Sequence, residues 1–242
     1  MITVVIPVWN RASLVGHAVA SVLGQTHKDL ELIVVDDGST DGSLEVARTV
    51  AGPDPRVKFL ALEHSGHPDA VKHAGIQAGT GEWVAVVDSD DEILPTALTE
   101  VLAASGRNPN CGVIFTDRVL ITPKGDVTPP PLPPYSKDGM LSENLMRHLV
   151  VFRRDLYEKA GGFDPAFTYA ETYDLALKLS ELTEVHHLQR PLYRYRVGGA
   201  DSVTVRFRKA QADFANLARR NAYLRRDLPV PASLSAVLKE KA

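Results

Sequence analysis

A chain of 242 residues, 44% hydrophobic and 24% charged, is long enough for one large core and has the composition of a globular protein rather than a disordered or fibrous one. The net charge of −3 argues against a general nucleic-acid footprint, and the single cysteine, Cys111, rules out an intrachain disulfide framework or a cysteine-built zinc cluster. No run reaches ~18 apolar residues and the chain opens directly on a strand pattern without a signal-peptide leader, so the sequence reads as a cytoplasmic protein.

Ile2 to Val8 is a β-branched, nearly continuous apolar run, the pattern of a parallel strand covered on both faces. Asn10 and Ser13 offer N-caps for a helix with Leu14, Val15, Ala18, Val19, Val22 and Leu23 at helical spacing. Leu30 to Val35 is a second strand, followed by Asp36, Asp37 and a Gly/Ser-rich turn. Strand, helix and strand within ~35 residues form a βαβ unit, which makes the two strands parallel. A helix from Ser43, a strand over 57–62 and a helix over 69–78 follow. The next strand, from Trp83, runs directly into Asp88, Asp90 and Asp91. The predicted fold class is therefore α/β, a doubly wound and mostly parallel sheet, and such sheets bind ligands beyond the carboxyl ends of their strands. Carboxylates at that edge can hold a hard divalent cation that takes its other oxygens from a diphosphate, or can merely form an acidic turn.

From Asn108 the texture changes. Residues 112–116 and 118–122 read as two strands flanking Asp117, and Pro129-Pro130-Pro131-Leu132-Pro133-Pro134 as an extended surface segment, either a stiff spacer or a lid. Helices are predicted over 141–148, 154–160 and 172–182, and strands over 148–152, 185–188 and 192–197. Residues 207–225 form a basic amphipathic helix, expected to bury Phe207, Phe214, Leu217 and Leu224 with its arginines outward. Its apolar face is expected to pack on the main domain or on a second subunit, with docking to an anionic membrane as the alternative. The expected division is 1–204 as one domain, split into 1–105 and a smaller subregion 106–204, with 205–242 as a C-terminal helical extension.

The segments VVIPVWNR (4–11), VVDDGSTDGS (34–43), GEWVAVVDSDDEILP (81–95), GGFDP (161–165) and YDLALKLSE (173–181) together resemble an inverting family 2 glycosyltransferase of the GT-A fold, over residues 2 to about 204. The resemblance implies transfer of a sugar from a nucleotide diphosphate donor, usually UDP-linked, to an acceptor hydroxyl on a glycan or small molecule, with Mn²⁺ or Mg²⁺ as cofactor. Carried over by position, 1–105 becomes the nucleotide-binding half and 106–204 the acceptor-side half. Pro7 lines the nucleoside pocket, Asp37 accepts the uracil N–H, and Asp36 anchors the loop or shares that pocket. Asp88 and Ser89 face the donor, Asp90 ligates the metal, and Lys72 adds a fixed positive charge.

Two departures from that pattern stand out. Relatives place an aspartate base after the glutamate, where this chain has Glu171-Thr172-Tyr173-Asp174. A threonine hydroxyl stays protonated and cannot serve as general base, so Glu171 or Asp174 takes that role, the acceptor needs no base, or the site is weakly active. The segment 196–202 also lacks a histidine that relatives often carry there. Asp117 and His148 are acceptor-side candidates whose alternatives are a turn cap and a structural histidine. Trp9 and Trp83 are expected to pack, and His64, His67 and His73 to face solvent. The rival to an enzyme is a weakly active sugar-nucleotide-binding or scaffolding module in glycan synthesis.

Overall fold

The computed structural model describes residues 1–197 and 207–235. Four strands, β1 (Ile2–Val8), β2 (Leu30–Asp36), β3 (Val57–Ala61) and β4 (Trp83–Val86), are mutually parallel and joined by α1 (Val15–Leu23), α2 (Ser43–Ala51) and α3 (Pro68–Ala78). Alternation along β1 sorts its side chains into two layers. Ile2, Val4 and Ile6 join the core built with α1 and α2, whereas Val5 joins Ile33 and Val35 under α3. The α3 helix can lie this close because Gly75 has no side chain: a Cβ there would sit 2.4 Å from Val5 Cγ1.

After the two-residue β5 (Glu92–Ile93) and α4 (Ala97–Arg107), the sheet continues through β6 (Cys111–Thr122), β7 (Gly125–Val127), β8 (His148–Arg153) and β9 (Glu184–Arg196), with α5 (Arg154–Lys159) and α6 (Glu171–Leu182) between the last two strands. Its order is β3-β2-β1-β4-β8-β6-β9-β5, with β7 pairing on β6. β8 runs antiparallel to both β4 and β6, and β9 runs parallel to β6. The expected α/β class and mostly parallel sheet are what the structure shows. The loops after β1, β2 and β4 meet at one carboxyl edge, where β2 and β4 flank β1 on opposite sides.

Local expectations fail in three places. The strand pairs expected at 112–122 and at 185–197 are single long strands, because irregular register at Thr116, Asp117 and Arg118 lets β6 and β9 bend without breaking. The helix expected over 141–148 is only a 3₁₀ turn, Gly139–Leu141. There the Met140 carbonyl accepts the Tyr173 hydroxyl and the Leu141 carbonyl accepts Arg219 Nε at 2.7 Å, so the acceptors that would extend the helix are already used. The boundary expected at 204–205 lies outside the described residues.

The basic helix, α7 (Arg208–Arg225), packs on α6 and is followed by the short α8 (Ala232–Ser235). Ala218 and Ala222 are its fully buried residues, Phe214 and Leu217 are partly buried, and Phe207 and Leu224 remain 38% and 51% exposed. Its arginines are not all outward. Arg225 and Arg226 both bind Glu181 at the end of α6, at 2.7 and 3.2 Å, because the small alanine face brings the helices close enough for these side chains to reach across. Among the described residues no helix is long and apolar enough to cross a membrane.

At the edge of the sheet opposite the loops, the buried Glu31 accepts hydrogen bonds from Thr3 Oγ1 at 2.8 Å, from the Gly81 N–H at 3.0 Å and from the Thr80 N–H, and pairs with Lys58 at 3.0 Å. Burial acts to raise its pKa, but the Thr80 amide, Lys58 and Thr3 outweigh it and hold the group down to about 2. A depressed carboxylate stabilises the fold above its unfolded value of 4.5, and that contribution is lost as pH falls toward 2. Glu31→Gln is therefore expected to cost about 1–3 kcal/mol at neutral pH, with the gap from wild type closing between those two values, as read by chemical denaturation at each pH.

Candidate active site

The loops after β1 and β2 are sewn together by short polar side chains. Asn10, in the left-handed region at φ 49°, donates its N–H to Ser39 Oγ at 3.0 Å and accepts the Thr40 N–H at 2.9 Å. The Arg11 N–H reaches Ser43 Oγ at 2.7 Å, and the Ala12 N–H reaches Asp41 Oδ2 at 2.9 Å. Asn10 and Ser13 therefore do not cap α1, which begins at Val15 with no side-chain cap. Asp36 is buried and accepts the Ser39 N–H at 3.1 Å, holding the turn. Gly38 follows at φ +69°, and a Cβ there would lie 2.8 Å from the His64 nitrogen, so only glycine lets this loop meet the loop after β3.

Asp37 is buried at that junction. Its Oδ1 accepts the Ser65 N–H and Oγ–H, both at 2.9 Å, and its Oδ2 lies 2.8 Å from His64 Nδ1. The His64 ring also stacks on Trp9 with centroids 4.6 Å apart, and Trp9 is 48% exposed. Trp9, expected to pack, instead forms an exposed shelf reached from the end of β1, whereas His64 is exposed as expected while its Nδ1 binds Asp37. Pro7 lies on β1 opposite Val35. Of the other two histidines, His73 meets the Tyr157 hydroxyl at 2.8 Å and His67 lies 3.8 Å from Asp69.

Across β1, the acidic loop after β4 divides its carboxylates between two directions. Asp91 is buried, accepting the Tyr193 hydroxyl at 2.8 Å and the Arg196 N–H at 2.7 Å, so it belongs to β9 and not to a cation. Burial and then the charge of Asp88 push it well above the ordinary carboxylate range. Tyr193 also accepts the Asp88 N–H at 3.2 Å, which fixes both ends of the loop through one hydroxyl. Ser89 is buried between them in sequence. Asp90 is raised by burial and by Asp88, opposed by Arg11 at 3.8 Å and by Arg196, whose Nε binds the Asp90 carbonyl at 2.9 Å. Among the described residues no group of three or more potential ligands forms a ready-made cage. Asp88 and Asp90 instead form an incompletely neutralised acidic pair, which fits a hard cation that completes its shell with ligand oxygens. Residues 198–202, where the absent histidine would fall, lie outside the described residues.

The third component arrives from α3 and α6. Lys72 is buried and binds Glu171 Oε1 at 2.6 Å. Burial disfavours its charge, yet Glu171, Asp88 and Asp69 together raise its pKa. One ammonium thus links the acidic loop to Glu171, the first residue of α6, where the helix N-terminus favours a carboxylate. Ala170 just before it is held left-handed at φ 61°, and Thr172 just after it is exposed. Asp174 is placed in other company. It is buried 2.7 Å from Lys178 and 3.8 Å from Arg225, under α7.

On the remaining side, Asp117 accepts His187 Nε2 at 2.9 Å and the Leu132 N–H at 3.1 Å. His148 stacks between Tyr193 and Tyr195, at 4.9 and 4.6 Å, and burial followed by Arg118 and Arg147 lowers its pKa to about 3, so it is neutral. Sequence reasoning missed Arg11, Tyr193, Arg196 and the Trp9–His64 stack. A signal existed for one of them, because Tyr193 and Tyr195 alternate on β9 and so face the same way.

A parallel sheet with ligand loops sewn across its switch point, an acidic loop after β4 and an antiparallel insertion beyond it is the GT-A architecture. The chain belongs to glycosyl transferase family 2, whose profile matches residues 3–160. It is 31% identical over 208 residues to the O-antigen biosynthesis protein RfbC of Myxococcus xanthus, covering 84% of this chain and 16% of that one. It is 28% identical to a chondroitin synthase of Pasteurella multocida, covering 85% and 21%. The chain spans about a fifth of the length of such relatives. In structure it resembles S. aureus TarS in complex with UDP-GlcNAc, with a TM-score of 0.79 at 19% identity, over 98% of this chain and 70% of that one. It also resembles the mannosyltransferase PcManGT of Pyrobaculum calidifontis in complex with GDP-Man and Mn²⁺, with a TM-score of 0.72 at 20% identity, over 98% and 67%.

Because one hydroxyl fixes the acidic loop, Tyr193→Phe is expected to lower stability by about 1–3 kcal/mol, since it strands the buried Asp91 oxygen and the Asp88 amide. Thermal melting reads the loss. Unchanged melting would show that the loop holds its shape without β9.

Proposed function

We propose that this chain is the catalytic domain of an inverting glycosyltransferase, moving a sugar from a nucleotide diphosphate donor, preferably UDP-linked, to a hydroxyl of a glycan or small-molecule acceptor. The observation that carries the reading is the Lys72–Glu171 pair, which brings a carboxylate from the acceptor half to the acidic loop of the nucleotide half. A binding module has no use for such a carboxylate. The ligands of the two structural neighbours, UDP-GlcNAc and GDP-Man with Mn²⁺, are consistent with this donor class.

The base of the nucleotide rests on the Trp9–His64 stack. A carboxylate has about four acceptor sites, and Asp37 uses two on Oδ1 and one on Oδ2, which leaves Oδ2 free to accept a nucleobase N–H. Asp88 and Asp90 would hold Mn²⁺ or Mg²⁺, which when bound offsets the negative charge that builds on the departing diphosphate. Arg11 and Lys72 add positive charge at the same mouth. Ser89 lines it from the loop.

Glu171 is the base. Its Oε1 is held by Lys72, which orients the group, while Oε2 can take the proton from the attacking hydroxyl. Asp174, paired under α7, supports the helix. Glu171→Gln is expected to cut single-turnover rates by ~10²–10⁴ while UDP affinity stays within twofold, because glutamine can still accept from Lys72 but cannot take the proton. Wild-type turnover in Glu171→Gln overturns the assignment, and a rate gain in Thr172→Asp would move the base to that neighbouring position. Metal dependence is checked by calorimetry: UDP should bind less tightly after chelation, and Asp90→Ala should abolish that difference.

A further inference from the structure

The proline segment and the β6 bulge enclose a cavity of about 200 Å³ that none of the donor or base residues lines. Its walls include Asp117, Arg118, Pro131, Leu132 and Arg147. Pro129, Pro130, Pro131, Pro133 and Pro134 have no N–H, so Leu132 carries the only backbone donor of this stretch. That one donor is bound to Asp117, which pins the stiff segment over the cavity as a roof. Asp117 is also bound to His187, so its Oδ1 is engaged from two sides.

The walls carry two arginines. Arg118 Nε is buried and has no hydrogen-bond partner, and among the described residues no carboxylate lies at ion-pair distance from this side chain. Its guanidinium is 5.3 Å from the Tyr195 ring, a contact that leaves the in-plane N–H groups free. A buried guanidinium donor without an acceptor is costly unless a ligand supplies one. Arg147 stands at the rim, its charge half-shared with the exposed Glu143 at 2.9 Å. The two cations face the same space, and their mutual repulsion falls when an anion enters between them. The cavity also adjoins the site, since Tyr195, which Arg118 covers, and Tyr193, which holds the acidic loop, stack on the same His148.

We propose that this cavity is an acceptor subsite for an anionic group, a sugar carboxylate or a sugar phosphate, received by Arg118 with Arg147 at the rim under the proline roof. The proposal rests on the glycosyltransferase reading for the word acceptor, but anion binding itself can be measured without turnover.

Glucuronate, glucose 6-phosphate and glucose are titrated into the full chain by ligand-observed NMR, with and without saturating UDP and Mn²⁺. One or both anions should bind while neutral glucose does not, and the stronger arm identifies carboxylate or phosphate as the group. Binding should weaken about tenfold or more in Arg118→Met and several-fold in the exposed-rim variant Arg147→Met, and UDP should not displace the anion. Arg118→Lys restores part of the affinity if charge is the requirement. Equal binding of glucose, displacement by UDP, or unaltered anion affinity in a folded Arg147→Met and Arg118→Met pair would overturn the subsite. If UDP fails to bind at all while the arginine-dependent anion binding persists, the transferase reading fails and the anion site stands.

Discussion

The burial of Asp91 constrains most of what surrounds it. A carboxylate at 1% exposure is tolerated only when its oxygens are taken, and here they are taken by the Tyr193 hydroxyl and the Arg196 amide, both on β9. The loop after a parallel strand of one half is thereby welded to the last strand of the other. With the backbone of Asp88 also held by Tyr193, the two outward carboxylates are presented from a fixed support. The short β5 is part of the same weld, since Glu92 and Ile93 pair with Arg194 and Tyr193.

Charge is then distributed over this frame in a chain of alternating sign. Arg11 faces Asp90, Asp88 acts on Lys72, and Lys72 binds Glu171. Each cation is shared between groups from different segments, so the site is assembled only when β1, β4, α3 and α6 are all in place. The backbone at two of these entry points, Asn10 and Ala170, is left-handed without being glycine. Such conformations persist where surrounding contacts over-determine them, and both lie next to residues that face the site.

The first half of the chain was legible because its signals are local. Runs such as ITVVIPV and LELIVVD are short, apolar and followed by turn residues, which is what a twice-covered parallel strand requires. The acidic loop was legible as chemistry but not as direction: nothing in the string Asp88-Ser89-Asp90-Asp91 says that the last carboxylate turns inward to a tyrosine about a hundred residues away. The second half was read less well because long bulged strands look like pairs of short ones, and because the carbonyls that stop a helix at Leu141 are taken by Tyr173 and Arg219 from distant helices. Glu171 was visible as an isolated carboxylate. Its meeting with Lys72 depends on a separation of 99 residues and could not be. The packing of α7 was hidden for a similar reason, because its closest approach is made by the small Ala218 and Ala222 and not by the large apolar residues that mark a stripe in the sequence.

Trp9 has an optical consequence. The chain contains two tryptophans, and Trp83 is partly enclosed in the core next to α1, whereas Trp9 stands half in water on the His64 ring. An indole in contact with solvent and with an imidazole is quenched and red-shifted relative to one shielded from both, so the emission of this protein has one steady contributor and one that answers to whatever covers the shelf. Under the proposed function, the chain carries its own reporter of nucleoside binding, with no label attached.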